Sequence, residues 1–426
     1  MTVHTVRPGD TVFQIANTYG VTPQALAKAN GLSDPDRIIV GQSLVIPGAE
    51  TFEYTAQRGD TLWKLGQRFG FTLRELLAVN PLLAGNPDML RVGQIVHIPA
   101  QRGELTVNGY CYPAISDQAL AEALPHLTFL SVFACHVGPD GSLAPMRNDE
   151  RVIERAKAAG VRPHMVIANI EEGKGFQPAT AQALLESPAA QVRLLQGCVA
   201  LMREKGYTGL DVDFEYVPAA VREGLSCFLA KARAWMHDEG FLLTSAVPAK
   251  TADNQPGLLY EGFDFWAQGK YNGYVTLMTY DFSYQGGPPG AVAPIDGVRR
   301  AVEFALSRIP KDKILMGIPN YGYDWSIPHQ PGASATVVNN PGAVAIAARQ
   351  GVNIEFDERA QTPWFRYAEA NGQAREIWFE DARSIRAKLE LVRELGVAGV
   401  SYWTVNNPFA ANWTLLEGMF RVMRNS

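Results

Sequence analysis

The stretch Gly209-Leu210-Asp211-Val212-Asp213-Phe214-Glu215 places a carboxylic acid at every second position. In a strand, successive side chains point to opposite faces. Leu210, Val212 and Phe214 then share one face, and Asp211, Asp213 and Glu215 share the other. The surrounding apolar residues mark the strand as core, where a row of carboxylates would be ruinous for a purely structural element. Like charges this close cannot all ionise, so at least one acid keeps a proton near neutral pH. A carboxylic acid that holds its proton there is a general acid.

Such acids need a frame. Beyond the polar link Ala100–Glu104, β-rich runs alternate with amphipathic segments. Candidate strands are Leu105–Tyr110, Phe129–Phe133, Arg162–Ile167, Gly209–Glu215, Leu242–Val247, Tyr274–Met278, Ile314–Ile318 and Gly399–Trp403. Candidate helices include Asp149–Ala159, Ala179–Lys205, Ala219–Glu239, Gly297–Arg308 and Ala382–Leu395. Eight strands, each followed by a helix, predict an α/β fold, a closed (β/α)8 TIM barrel over residues 104–426, with chemistry at the C-terminal ends of the strands. An open doubly wound sheet is disfavoured, because no Gly-rich phosphate loop follows the first strand. The segment from Tyr323 to Val397 is too long for one crossover. Its aromatic, alternating middle, Ile354–Phe379 with the turn signal Asn371-Gly372, predicts a small α+β insertion at about 325–380.

The first hundred residues repeat. Gly9-Asp10-Thr11 recurs as Gly59-Asp60-Thr61, Asn30 as Asn80, Val40-Gly41-Gln42 as Val92-Gly93-Gln94, and Ile46-Pro47 as Ile98-Pro99. Each unit (residues 1–49 and 50–100) reads as β-α-α-β. Pro8-Gly9 makes a turn, Asp10 or Thr11 caps a helix with the stripe Phe13, Ile15, Ala16 and Tyr19, and Thr22-Pro23 starts a second helix.

Both units resemble the LysM module, with its GDT, its Asn after the second helix and its closing GQ-x-L-x-IP. The resemblance implies a shallow groove for N-acetylglucosamine glycans, with Gly9, Asp10, Thr11 and Phe13 facing Pro35–Ile38. In the second copy, Gly59, Asp60, Thr61 and Trp63 face Pro87–Leu90. A Gly-rich turn suits acetamido groups and an aromatic ring suits a sugar face.

The acidic strand resembles the DGxDxDxE signature of glycoside hydrolase family 18, departing at Thr208, where the family commonly has Asp. Met278-Thr279-Tyr280-Asp281, Gly317-Ile318-Pro319-Asn320-Tyr321-Gly322 and Trp403 resemble the family's motifs at the sixth, seventh and eighth strand ends. The resemblance implies substrate-assisted, retaining cleavage, an exception to the two-carboxylate scheme. Glu215 is then the acid, Asp213 and Tyr280 orient the substrate's acetamido group, and Asp211 pairs with Asp213. Trp403, Asp281, Asn320, Tyr110 and Met278 become substrate contacts. No metal or organic cofactor is implied, and the seven histidines show no ligand spacing. As a whole, the chain resembles the cortical fragment-lytic enzymes of spore-forming bacteria. That resemblance implies an N-acetylglucosaminidase acting on spore-cortex peptidoglycan during germination. The other readings are a chitinase or a non-catalytic glycan-binding coat protein.

Composition excludes other classes. Lys+Arg 38 against Asp+Glu 43 leaves no basic excess for nucleic acid. No apolar run is long enough for a membrane span. The N-terminal MTVHTVRPGDTV lacks a signal-peptide pattern, and Cys111, Cys135, Cys198 and Cys227 form no close pair. Buried free thiols and synthesis in a reducing cytoplasm are expected, with delivery from the mother cell to the spore coat or cortex. Nothing in the sequence indicates an oligomeric state.

Overall fold

The structure, a computed structural model, describes residues 1–48, 50–84 and 90–424. The chain divides into two compact units. One holds residues 1–104 together with 410–421, and the other 105–409 with 422–426. The helix Ala410–Met419 therefore groups with the N-terminal repeats, although it lies within the stretch expected to form the barrel domain.

Each repeat has its own small core. In the first, Val3–Thr5 pairs antiparallel with Ser43–Val45, and Val12, Ile15, Ala16, Leu26 and Leu44 pack beneath. In the second, Thr51–Thr55 pairs with Ile95–Pro99 over Leu62, Leu65, Leu76, Val96 and Ile98. Asn30 explains its recurrence as Asn80. Its amide donates to Leu26 O and Val45 O and accepts from Val45 N–H, latching the last strand to the second helix. Asn80 does the same with Leu76 and His97. Within the first unit, Thr414 Oγ1 donates to Ala29 O at 2.8 Å.

In the second unit, eight parallel strands close a ring. They are numbered within the barrel as β1 (Gly103–Cys111), β2 (Phe129–Val137), β3 (Arg162–Ala168), β4 (Gly209–Asp213), β5 (Leu242–Pro248), β6 (Tyr274–Met278), β7 (Ile314–Pro319) and β8 (Gly399–Trp403). Each pairs with the next, and β8 returns to β1, with Val400 opposite Val107. Unpaired edges are thereby removed from the barrel wall. Leu210 and Val212 on β4, and Phe214 just past it, are buried toward the helices, where Phe214 stacks on Phe228 at 5.8 Å.

Three expectations need correction. The segment Ala179–Lys205 is two helices, Pro178–Glu186 and Pro188–Lys205. Pro188 lacks the N–H a continuous helix needs, and Ser187 stays extended and caps the second helix through Ala190 N–H. The insertion starts earlier than expected, with Gly322–Ile327 as the second strand of a five-stranded antiparallel sheet. Thr336–Val338 flanks it on one side; Ala374–Trp378, Thr362–Ala368 and Glu355–Asp357 follow on the other. Of the four free cysteines, Cys227 is exposed while the other three are buried.

Candidate functional site

β4 ends at Asp213, so Glu215 lies two residues past the strand, not on it. The three acids still gather at the C-terminal mouth of the barrel, in graded surroundings. Asp211 is buried and doubly held: Tyr110 OH donates to Oδ2 and Thr244 Oγ1 donates to Oδ1, each at 2.6 Å. Burial still raises its pKa, against the pull of these two donors. Tyr110, expected to contact substrate, thus points its hydroxyl at Asp211. The expected pairing of Asp211 with Asp213 gives way to these two neutral donors.

Asp213 is also buried, but its Oδ1 has no hydrogen-bond partner among the described residues. Burial first, then the charges of Glu215 and Asp211, hold its pKa well above the ordinary carboxylate range. The Glu215 carboxyl is pushed up to about 7 by burial and by the charge of Asp281. Tyr280 stands among all four carboxyls, which, with burial, keep its phenol protonated far above neutrality. The site therefore sets one acid, Glu215, whose proton comes off near neutral pH, beside a phenol donor and carboxyls that burial also raises.

The β6 and β7 ends shape the next layer. Asp281 accepts from Tyr321 OH at 2.6 Å and Tyr323 OH at 3.0 Å. Burial raises its pKa and the two phenols oppose that rise. Both Tyr216, just after Glu215, and Asp281 take left-handed backbone, at φ 52° and 58°. Non-glycine residues rarely adopt it, and where they do, strain is commonly held at a site. Gly317 lets Tyr280 approach β7: an added Cβ would lie 2.9 Å from the Tyr280 ring and 2.3 Å from Leu277 O. Met278, at the end of β6, is half-buried beside them.

Trp403 ends β8 as a half-buried floor, its ring centroid 5.4 Å from Tyr110 and 4.8 Å from Phe133. Asn320, expected among the substrate contacts, is committed elsewhere. Its Nδ2 donates to Thr404 O and Asn407 O, and its Oδ1 accepts from Asn340 Nδ2. It braces the loop that follows Trp403. Thr208 also has a structural place: its N–H and Oγ1 both donate to Pro163 O at the opposite end of β4. Sequence reading missed Thr244, Tyr321 and Tyr323, since only the folded chain brings them to their acids.

In the repeats, the Gly-Asp-Thr residues serve the turn. Gly9 and Gly59 take φ of 87° and 92°, a conformation that favours glycine. Asp10 accepts from Arg7 N–H and pairs with His4, and Asp60 accepts from Gln57 N–H and Tyr54 OH. These bonds hold both carboxyls below their usual range. Thr11 and Thr61 cap the helices that follow. Phe13 and Trp63, by contrast, are 64% and 63% exposed, so Phe13 leaves the buried stripe expected of it. In the second copy, residues 87–89 of the expected groove lie outside the described residues.

A closed parallel barrel with an α+β insertion and clustered acids at the end of its fourth strand defines a glycoside hydrolase. Residues 141–407 match the family model of Glycosyl hydrolases family 18, and the chain belongs to that family. Residues 4–47 and 54–99 each match the LysM domain. Among its relatives is the cortical fragment-lytic enzyme of Bacillus subtilis, 37% identical over 434 residues and covering the whole of both chains. The crystal structure of the Bacillus megaterium spore cortex-lytic enzyme SleL has a TM-score of 0.86 at 35% identity, over 100% of this chain and 99% of that one. A Chromobacterium violaceum chitinase has a TM-score of 0.68 at 26% identity, over 74% of this chain and 98% of its own.

Proposed function

We propose that the protein is an N-acetylglucosaminidase of spore-cortex peptidoglycan, cleaving the β-1,4 bond after N-acetylglucosamine with retention of configuration. The observation that carries this is the grading of the acids, with Glu215 pushed up to about 7 beside a buried, unpartnered Asp213 oxygen. Glu215 gives its proton to the glycosidic oxygen. The acetamido carbonyl of the sugar attacks its own anomeric carbon, while Asp213 accepts from the acetamido N–H and Tyr280 donates to the acetamido oxygen. Glu215 then takes a proton from the water that opens the oxazolinium ring. Asp211, fixed by Tyr110 and Thr244, adds to the burial and the Glu215 charge that keep Asp213 high. Trp403 lies under the reacting sugar, with Met278 and Asp281 beside it.

The likeness to enzymes named for cortex fragments and for the spore cortex supports cortex peptidoglycan as substrate and action at the spore cortex; synthesis in the mother cell belongs to the same proposal. The chitinase likeness supports chitin oligomers as the second reading. Mass spectrometry of products from purified cortex fragments and from chitin oligomers separates the two. N-acetylglucosamine at the new reducing end, formed as the β-anomer, is the expected product; cleavage of chitin alone would favour the second reading.

The glycan platforms of the repeats are proposed to be Phe13 and Trp63, over turns built by Gly9, Asp10 and Thr11 and by Gly59, Asp60 and Thr61. Truncating the repeats would strip helix Ala410–Met419 of its packing, so point changes test this more cleanly. Joint Phe13→Ala and Trp63→Ala changes are expected to weaken pelleting with insoluble wall about tenfold, roughly the stacking energy of two rings. Turnover of soluble fragments should stay within about twofold. Equal losses in both assays would assign the rings to folding instead.

Because the Asp281 charge helps raise Glu215, Asp281→Asn is expected to lower the Glu215 pKa. The basic limb of kcat/KM, set near pH 7 by loss of the Glu215 proton, then moves toward lower pH by about half a unit. Profiles from pH 5 to about 9 check this, and an unmoved limb would remove Glu215 as the titrating acid.

A further inference from the structure

Glu215 stands where the sheet has already ended. β3 and β4 pair in register as far as Ala168 opposite Asp213, and go no further. Yet the Glu215 backbone is held as firmly as a strand residue, by one side chain. Asn169, the residue after β3, is fully buried. Its Oδ1 accepts from Glu215 N–H at 2.9 Å, and its Nδ2 donates to Glu215 O at 2.9 Å. The other Nδ2 proton goes to Gln177 O at 3.0 Å, and Gln177 N–H donates to Asn169 O at 2.7 Å. Asn169 therefore mimics a strand partner, engaging both backbone groups of Glu215 without touching its carboxyl. Immediately beyond, Tyr216 turns into left-handed backbone at φ 52°.

We infer that Asn169 is a positioning residue for the proton donor, fixing the height and direction of the Glu215 carboxyl at the barrel mouth. The inference rests on the proposed role of Glu215. The physical reason is simple. Proton transfer in the transition state demands placement within a fraction of an ångström, and a residue past the end of its strand has no ladder to supply it. An amide supplies both halves of that ladder from two separate atoms, whereas Ser or Thr has a single oxygen for both and ionised Asp supplies no donor.

The test separates placement of the acid from general support of the fold. Soluble cortex fragments have a leaving group that needs a proton. A dinitrophenyl β-glycoside of an N-acetylglucosamine oligomer has one that does not. The quantity compared is kcat/KM, which reports events up to release of the leaving group. For Asn169→Ala it should fall about 100-fold on fragments and less than about fivefold on the aryl glycoside. The basic limb of the fragment profile should also move. Asn272→Ala, at another fully buried amide, is the stability control and should leave the ratio of the two substrates unchanged. If the alanine form does not fold, Asn169→Ser keeps a partial bond and should give the same split at smaller size. Equal losses on both substrates, or no loss on fragments while Glu215→Gln is inactive, would overturn the inference. A Glu215→Gln enzyme as active as its parent on fragments would overturn the acid assignment instead.

Discussion

Glu215→Gln is expected to lower kcat on cortex fragments by at least about a thousandfold, with binding of the same fragments nearly unchanged. Gln fills the same space and keeps the backbone bonds to Asn169, so the cleft retains its shape. What it loses is the proton that burial and the Asp281 charge hold on the acid up to about pH 7. Two of its neighbours cannot replace it. Asp211 is held by Tyr110 and Thr244, and the Tyr280 phenol is held protonated far above neutrality by burial and the surrounding carboxyls. Chromatographic assay of fragment turnover, with binding followed separately on the inactive form, checks both halves. Turnover close to that of the parent would end the proposed mechanism.

Asp213→Asn should move activity and stability in opposite directions. Activity is expected to fall about 100-fold or more, because an amide can neither stabilise the developing charge nor accept from the acetamido N–H in the same orientation. Stability is expected to rise. The folded protein holds the Asp213 pKa well above its unfolded value, chiefly through burial. The neutral form is thus favoured by folding, and stability is lost as pH climbs from the unfolded pKa up through the folded one. Asn mimics the neutral form at every pH. The variant should therefore match the parent near pH 4 and exceed it by about 1–2 kcal/mol near pH 8, visible as a higher Tm. Thermal melts across that range test the sign. A variant that is less stable at pH 8 would mean that the Asp213 carboxylate is compensated by contacts of its own.

Much of this architecture was legible in the residues. β6 and β8 fall on the expected bounds because parallel barrel strands are short apolar runs with sharp ends. The acids of β4 stood out because carboxylates interrupt such a run. Limits of another kind applied to Tyr110. Its partner Asp211 is 101 residues away, and no local pattern links them. Thr244 is an ordinary strand residue until the ring closes, and Tyr321 and Tyr323, at the start of the insertion, meet Asp281 only in the folded chain. The strand Gly322–Ile327 was hidden because it follows β7 with only Asn320 and Tyr321 between. In the repeats, the echo of Asp10 in Asp60 reflected turn chemistry, while the exposed Phe13 and Trp63 differ in type and so were less visible as an echo.

The brace behind Trp403 makes the insertion and the end of β8 one mechanical part. Asn340, which starts the helix of the insertion, donates to Asn320 Oδ1 and accepts from Glu380 N–H. Asn320 in turn carries the loop through Thr404 O and Asn407 O. The wall added between β7 and β8 and the loop that follows Trp403 are thus tied together through one pair of amides. An insertion grafted from a relative would have to bring its own Asn340 to keep that tie. A change made in the wall is thereby passed to the end of β8, so the two are best redesigned together.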